Sequence, residues 1–381
     1  MSDIKKRIAL ALSGGGFRAT LFTLGSLWRL NEFGLLPRID RITSVSGGSI
    51  TSAYLAMKWG ELDFNKDTGV ANNFTSIIAK PLQEFCSKPL DILAGLSGLI
   101  VPFSTIGDKV AKQYAKRLFG TKTLQDIPAP GQGPEFIFYA TSLQTGASVR
   151  FTRASVADYK LGELHNPQLP LAKVVGASSA FPPFFSPVII KCDPQLWTKT
   201  RGAFLFDNFE LRKKMVLGDG GIYDNMGLEA VWNDNFKTVF VCDAGAPFKI
   251  TKKVPRNWLQ QSLRVSAIIT EQTRALRKRA LIKSYLALDD KMNHLEYGGT
   301  YWGIATEIDN YELENAMLKD NHQTASLQHL RTRLHPFSKE KQGNLINWGY
   351  ALSDTALRKW YFETNKNPGN WPIPEYSLDR Y

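Results

Sequence analysis

Three short turns hold the residue types that acyl chemistry needs: Ser13-Gly14-Gly15-Gly16, Ser44-Val45-Ser46-Gly47-Gly48 and Gly218-Asp219-Gly220-Gly221. In the first, consecutive glycines permit a tight bend whose backbone N–H groups no side chain covers. It follows the apolar run "RIALAL" (7–12) and opens a helix-like run, so a helix N-terminus adds partial positive charge. Such a turn suits an anion, either a phosphate or the oxyanion of acyl transfer; a plain tight turn is the third reading. A P-loop requires G-x-x-x-x-G-K-[ST], and no Lys-Ser or Lys-Thr is present here. The dinucleotide spacing G-x-G-x-x-G fails too, because Ala19 fills its last position.

The second turn has the form of a nucleophile elbow, G-x-S-x-G, in which a strained strand-to-helix corner lifts a serine hydroxyl above the sheet edge. Ser46 is at its centre and Gly48 at its end, with Ser44 where the first glycine would stand. An ordinary capped helix start is the competing reading. A serine nucleophile needs a base, and the chain's five histidines (His165, His294, His322, His329, His335) lie in no strand-end motif. Asp219 does, after the apolar run "KKMVL". An exposed aspartate ionises near 3.9 and is a weak base, but desolvation raises that value. General-base help is typically about 10²–10⁴-fold. The competing reading is a turn-forming Asp-Gly.

These turns need a scaffold that brings them together. "RIALAL", a helix over 17–34, the strand-like "IDRITSV" (39–45) and a helix over 47–60 make a strand–helix–strand–helix order, the pattern of a parallel sheet covered by helices. In such a sheet the C-terminal strand ends converge on one edge, which would bring Ser46 and Asp219 together. Residues 61–130 break the rhythm and read as a helical insert or lid. Within them "PLDILAGLSGLIVPF" (89–103) is a core helix by default and an interfacial segment otherwise. Strands return at 135–143 and 148–153, and again before Asp219 and at 238–245. A basic helix, a strand over 300–308 and a helix over 344–362 close the chain.

The four blocks together resemble one family. "SGGGFR", "SVSGGS" and "DGG" are similar, in that order, to the glycine-rich loop, elbow and D-G-[GA] motif of patatin-like phospholipases. "ASSAFPPFFSP" (177–187) resembles the A-S-x-A-x-P-x-x-F-x-P segment these enzymes carry between elbow and aspartate. The resemblance covers about residues 7–250. It implies a three-layer α/β/α fold around a mostly parallel sheet; its motifs stop near residue 250, and residues 251–381 are expected to form an extension packed on the core. It also implies a Ser46–Asp219 dyad without histidine, cleaving phospholipid acyl esters through an acyl-enzyme. The amides of Gly14, Gly15 and Gly16 would form the oxyanion hole, with Gly48, Gly220 and Gly221 in support. Arg18 would hold the loop or attract a headgroup phosphate. Ser44 and Ala19 depart from the family's usual glycines, each a small residue for a small one. No metal or other cofactor is implied.

Charge and composition suggest where it would act. The net charge is +12, and residues 251–283 hold nine Lys or Arg against Glu271 alone. Such a surplus favours polyanions (nucleic acid, anionic lipid or a phosphorylated ligand), or is simply a solvated helix face. With the resemblance, the expected partner is a phospholipid membrane surface, and no nucleic acid is expected. Leu259, Leu263, Ile269, Leu276 and Ala280 partly follow helical spacing, so one side of this helix is expected to pack on the core. Arg264, Arg274, Arg277, Lys278 and Arg279 spread around it. Three cysteines in apolar surroundings read as buried free thiols. The N-terminal apolar run is too short for a signal segment. The expected location is cytoplasmic, peripheral to the membrane when active. Some bacterial relatives resemble antiviral effectors switched on by cyclic oligonucleotides, so a cyclic-nucleotide activator and a homo-oligomer stay open. The rival readings are a nucleotide-binding regulatory module and a catalytically inactive membrane-binding scaffold; the intact Ser46 and Asp219 disfavour the second.

Overall fold

The computed structural model describes residues 7–90, 105–183, 185–232, 236–254, 256–286, 298–331, 334–362 and 366–379. Its first strand, β1 (Ile8–Leu12), is buried at every position, as a strand covered on both faces must be. Alternation sorts its side chains. Ile8, Leu10 and Leu12 join the larger apolar core, while Ala9 and Ala11 join a smaller core on the opposite face.

The strands are β1, β2 (Arg41–Val45), β3 (Glu135–Ser142), β4 (Ser148–Phe151), β5 (Ser155–Asp158) and β6 (Gly162–His165). They continue with β7 (Val188–Lys191), β8 (Trp197–Thr198), β9 (Lys214–Asp219), β10 (Thr238–Asp243) and β11 (Gly298–Gly303). Five run parallel in the order β11-β10-β1-β2-β3, and the sheet continues antiparallel through β4, β5, β6 and β8. The expected helix-flanked sheet is therefore present, parallel through its centre and mixed beyond β3.

The larger core lies under α1 (Gly16–Glu32), α2 (Gly47–Lys58), α3 (Lys80–Ser87), α4 (Ile106–Tyr114) and α5 (Leu171–Ser178). The short α6 (Phe209–Lys213) precedes β9, and α7 (Gly221–Asp224) follows it. The opposite face is covered by α8 (Glu229–Trp232) and part of α9 (Trp258–Tyr285). After β11 come α10 (His322–Leu327) and α11 (Lys339–Trp360), and α11 packs along α1. Two glycines set that approach. A Cβ on Gly25 would fall 1.9 Å from the Ile346 carbonyl oxygen, and one on Gly349 2.0 Å from that of Phe22. Asp354 of α11 then pairs with Arg29 of α1 at 2.6 Å, both of them buried.

One expectation meets a different outcome. The apolar residues of α9 expected to face the core do not: Leu259, Leu263, Ile269, Leu276 and Ala280 are all exposed, and the helix meets the smaller core only near its C-terminal end, through Leu281, Ile282 and Tyr285. The apolar 89–103 segment falls, from residue 91 onward, outside the described residues.

Candidate active site

β2 ends at Val45 and the chain turns directly into α2, leaving Ser46 at the corner with φ 51° and ψ −117°. A positive φ is strained for a residue with a side chain, and it persists only where surroundings enforce it. Glycine packing enforces it here. A Cβ on Gly47 would meet the Gly16 carbonyl oxygen at 2.1 Å, and one on Gly48 the Ser13 carbonyl oxygen at 2.6 Å. Elbow and glycine loop therefore touch backbone to backbone, and Gly14 lies against the Ser46 side chain.

Hydrogen bonds complete the corner. The Ser46 N–H donates to Ser178 Oγ at 3.0 Å. Ser178 and Ser49 hydroxyls lie 2.9 Å apart, and Ser49 donates to Ser44 Oγ at 3.1 Å. Ser44 thus stands at the usual glycine position because its hydroxyl is a member of a buried chain of serines.

Asp219 ends β9 beside the elbow. It is 2% exposed, and its carboxyl hydrogen-bonds the Ser46 side chain. Gly221 N–H donates to its Oδ1 at 2.7 Å. Burial disfavours the charged form and raises its pKa from 3.8 to about 7, against the opposing pull of the Gly221 and Ser46 hydrogen bonds. That value suits a base working near neutrality. No histidine is among the described partners of this carboxyl; His165, at the end of β6, is exposed.

The 177–187 segment braces both residues. Ser178 takes the Ser46 N–H through its hydroxyl and the Gly220 N–H, at 3.2 Å, through its carbonyl. The Ala180 carbonyl accepts the Asp219 N–H at 2.9 Å. Gly220 has no room for a side chain, since a Cβ would lie 2.5 Å from the Tyr139 carbonyl oxygen.

In the glycine loop, Gly15 and Gly16 both have positive φ, 145° and 59°. Their N–H groups have no acceptor among the described residues. Gly14 differs from expectation: its N–H donates to the Asn225 carbonyl at 3.1 Å and is already spent. The free donors beside Ser46 are thus those of Gly15 and Gly16.

A family model for patatin-like phospholipases matches residues 10–232. The chain belongs to that family. Among solved structures, human GIVD cytosolic phospholipase A2 aligns with a TM-score of 0.56 at 12% identity, over 94% of this chain and 60% of that one. The same human protein in complex with methyl gamma-linolenyl fluorophosphonate aligns with a TM-score of 0.52 at 14% identity, over 94% and 59%. The chain thus spans about three fifths of the length of these neighbours, and the likeness is one of fold. No curated protein is significantly similar to it in sequence.

Within this patatin-like site Arg18 is not placed to meet a headgroup. It is fully buried, and its guanidinium donates to the carbonyls of Gln328, Leu330 and Ala244 at 3.1, 2.8 and 2.6 Å. Burial lowers its pKa to about 10, with Asp243 pulling the other way. Its role is to tie the glycine loop to the end of β10 and to the segment after α10. Asn225 escaped the sequence reading. Besides its backbone carbonyl accepting from Gly14, its Oδ1 lies against both Gly14 and Gly221, so it joins the glycine-rich turn to the Asp219 turn. An Asp-Asn pair four residues past a D-G-G corner offers no signal of this by itself.

Arg274 and Arg277 of α9 also reach this sheet edge. Arg274 pairs with buried Asp243 at 2.9 Å, and Arg277 with Glu229 at 2.9 Å and Asp224 at 3.5 Å. Burial would raise the Asp243 pKa, but Arg274, the Gly245 N–H and Tyr301 together hold it below the usual value. Among the described residues no group of His, Cys, Asp and Glu could hold a metal ion. No described helix is long and apolar enough to cross a membrane.

Proposed function

We propose that the protein is a serine lipid acyl hydrolase of the phospholipase A type, working through Ser46 and Asp219. Family membership supports a lipid acyl hydrolase in general. The observation that supports the finer reading is the buried Asp219 carboxyl, raised to about 7, in hydrogen-bond contact with a serine on a strained corner. In this mechanism Asp219 takes the Ser46 proton as Oγ attacks the ester carbonyl. The Gly15 and Gly16 amides stabilise the oxyanion, each aligned donor contributing roughly 3–4 kcal/mol. Collapse expels the alcohol, which carries the proton back from Asp219. The acyl-enzyme is then hydrolysed by water that Asp219 deprotonates.

The nucleotide-module reading is weakened by Arg18, which is buried beside the glycine loop with both terminal guanidinium nitrogens donating to backbone carbonyls. A fluorophosphonate probe tests the hydrolase reading. Such a compound is bound by the human neighbour, and here it should label Ser46 alone. Labelling that survives Ser46→Ala, or that falls on Ser13 or Ser49, refutes the assignment. Activity of wild-type protein on phospholipid vesicles, followed by mass spectrometry of the products, identifies the bond cleaved.

A further inference from the structure

α9 is inverted relative to an ordinary surface helix. Its charged residues Arg274 and Arg277 face the body of the protein and pair with carboxylates there, alongside buried Leu281. Trp258, Val265, Ile269 and Leu276, at spacings of seven, four and seven, share one side away from these arginines, while Leu259, Leu263 and Ile268, also exposed, lie on other sides of the helix. The first four are 77%, 53%, 57% and 53% exposed. At 1.5 Å per residue this stripe is about 27 Å long. Ile250, 87% exposed, extends the apolar surface before the helix. An exposed apolar surface of this extent marks an interaction site.

The charges around the stripe identify its occupant. Lys252, Lys253 and Arg256 precede it, and Arg279 and Lys283 follow Leu276 on the same side; all five are exposed. Glu271 is the one acidic residue between Thr251 and Lys283. Pairing this surface with a second copy of itself would bring like charges together, whereas an anionic bilayer complements them. An apolar stripe flanked by Lys and Arg is the composition of a helix lying in a membrane interface. Its placement agrees: through Arg274 and Arg277 the helix is anchored to Asp243 and Asp224, at the sheet edge that carries Ser46. Leu143 and Ile222, both exposed, flank Gly218 on that edge.

We propose that the outer face of α9, from Trp258 to Leu276, docks the protein on anionic lipid bilayers and so presents the Ser46 edge to the membrane. The proposal deepens the hydrolase reading and rests on it for the choice of a lipid partner.

Binding is measured by co-sedimentation in the full-length Ser46→Ala chain, so that hydrolysis cannot alter the vesicles. Vesicles of phosphatidylcholine alone are compared with vesicles that also contain phosphatidylglycerol. The protein should bind the anionic vesicles and release them at high salt. Trp258→Asp, Ile269→Asp and Leu276→Asp combined should abolish binding. Lys252→Glu, Lys253→Glu and Arg256→Glu combined should weaken it roughly a hundredfold or more, at about a factor of five per basic residue. All these sites are exposed, so unchanged circular dichroism and thermal melting should accompany the loss. In the Ser46-bearing chain, the same aspartate substitutions should leave cleavage of a soluble short-chain ester unchanged. The proposal is overturned if the parent protein ignores anionic vesicles, or if the aspartate variant binds them as well as the parent. Loss of soluble-ester cleavage together with binding also overturns it, since the face would then support the fold. So does conversion of an oligomer to a monomer without loss of binding, which would assign the face to self-association. Binding of the Ser46→Ala chain, together with a wild-type protein that cleaves no ester, supports the docking face while refuting the hydrolase.

Discussion

Ser46 follows, and Asp219 ends, two strands that reach the same edge of β3 from opposite directions. Val45 of β2 pairs with Tyr139, and Asp219 of β9 pairs with Ala140, the next residue along. The other side of Tyr139 and Ala140 is taken by Arg150 and Val149 of β4. β9 therefore occupies the edge that β2 vacates when it turns into the elbow. The two residues meet because one strand stops where the other arrives, and not because parallel strand ends converge.

The raised Asp219 pKa links stability and turnover in opposite senses. Between the unfolded value near 3.8 and the folded value near 7, the folded protein holds a proton that the unfolded chain releases. Stability therefore declines as pH rises through that window and levels off above it. Asp219→Asn lacks this decline, so its melting temperature should gain on wild type from about pH 4 to about pH 7. Turnover of a soluble ester needs the carboxylate and should rise over the upper part of the same window, with an apparent pKa near 7. The Asn variant should lose at least roughly a hundredfold in turnover, whereas His165→Ala keeps the wild-type rate. A dead His165 variant, or equal pH slopes of stability in wild type and Asp219→Asn, contradicts the dyad.

Ser178 should matter to turnover without touching substrate. Ser178→Ala leaves the buried Ser46 N–H without its acceptor and cuts the chain of serines that includes Ser44 and Ser49. A buried donor left unpaired costs about 1–3 kcal/mol. Chemical denaturation should show a loss of that size, with kcat falling more than KM rises because the corner is displaced. Ser178→Thr, which retains a hydroxyl, should recover part of both. An alanine variant with wild-type stability and kcat would remove Ser178 from this role.

Packing of the elbow on the glycine loop predicts a contrast between two glycines of α2 and its C-terminal turn. Gly47→Ala places a methyl 2.1 Å from the Gly16 carbonyl oxygen, and backbone cannot step aside cheaply. This variant should be inactive or insoluble. Gly60→Ala meets nothing within 4 Å and should be neutral or slightly stabilising, by about 0.4–1 kcal/mol. Soluble yield, melting temperature and fluorophosphonate labelling of Ser46 distinguish the two.

Local chemistry made the three turns legible. Glycine runs after apolar strands advertise themselves, and so does a serine between a strand and a helix. What the sequence does not display is pairing over long distances. The antiparallel arrival of β9, the Arg18 contacts with Gln328 and Leu330, and the Asn225 bond to Gly14 all join segments far apart in the chain. α9 shows a different limit. Periodicity identifies residues that share a helix face, but it does not say which face meets the protein. Here buried Asp243 and Asp224 claim the arginines, and the apolar stripe is left outside.

Two arginines of α9, two residues apart, should therefore behave unlike each other. Arg277 contacts Glu229 at 2.9 Å and Asp224 at 3.5 Å, and Asp224 is 3% exposed. Asp224 closes α7, the short helix that begins two residues after Asp219, and its carboxylate accepts from the N–H groups of Met226 and Leu228 at 3.0 and 2.7 Å. Arg277→Glu would face this group with a like charge and leave it buried without a counter-ion. Removing one partner of a buried pair costs about 3–5 kcal/mol; Arg277 is partly exposed, which places the expected loss at the lower end. The Asp219 corner should loosen with it, so cleavage of a soluble short-chain ester should fall in step with the melting temperature. Arg279 points outward, and Arg279→Glu should change stability by less than about 0.5 kcal/mol and leave the soluble ester reaction intact. Its effect should appear only on anionic vesicles, as weaker binding that high salt reproduces in the wild type. Equal losses from the two substitutions on the soluble ester would mean that α9 does not separate a structural face from a lipid-facing one.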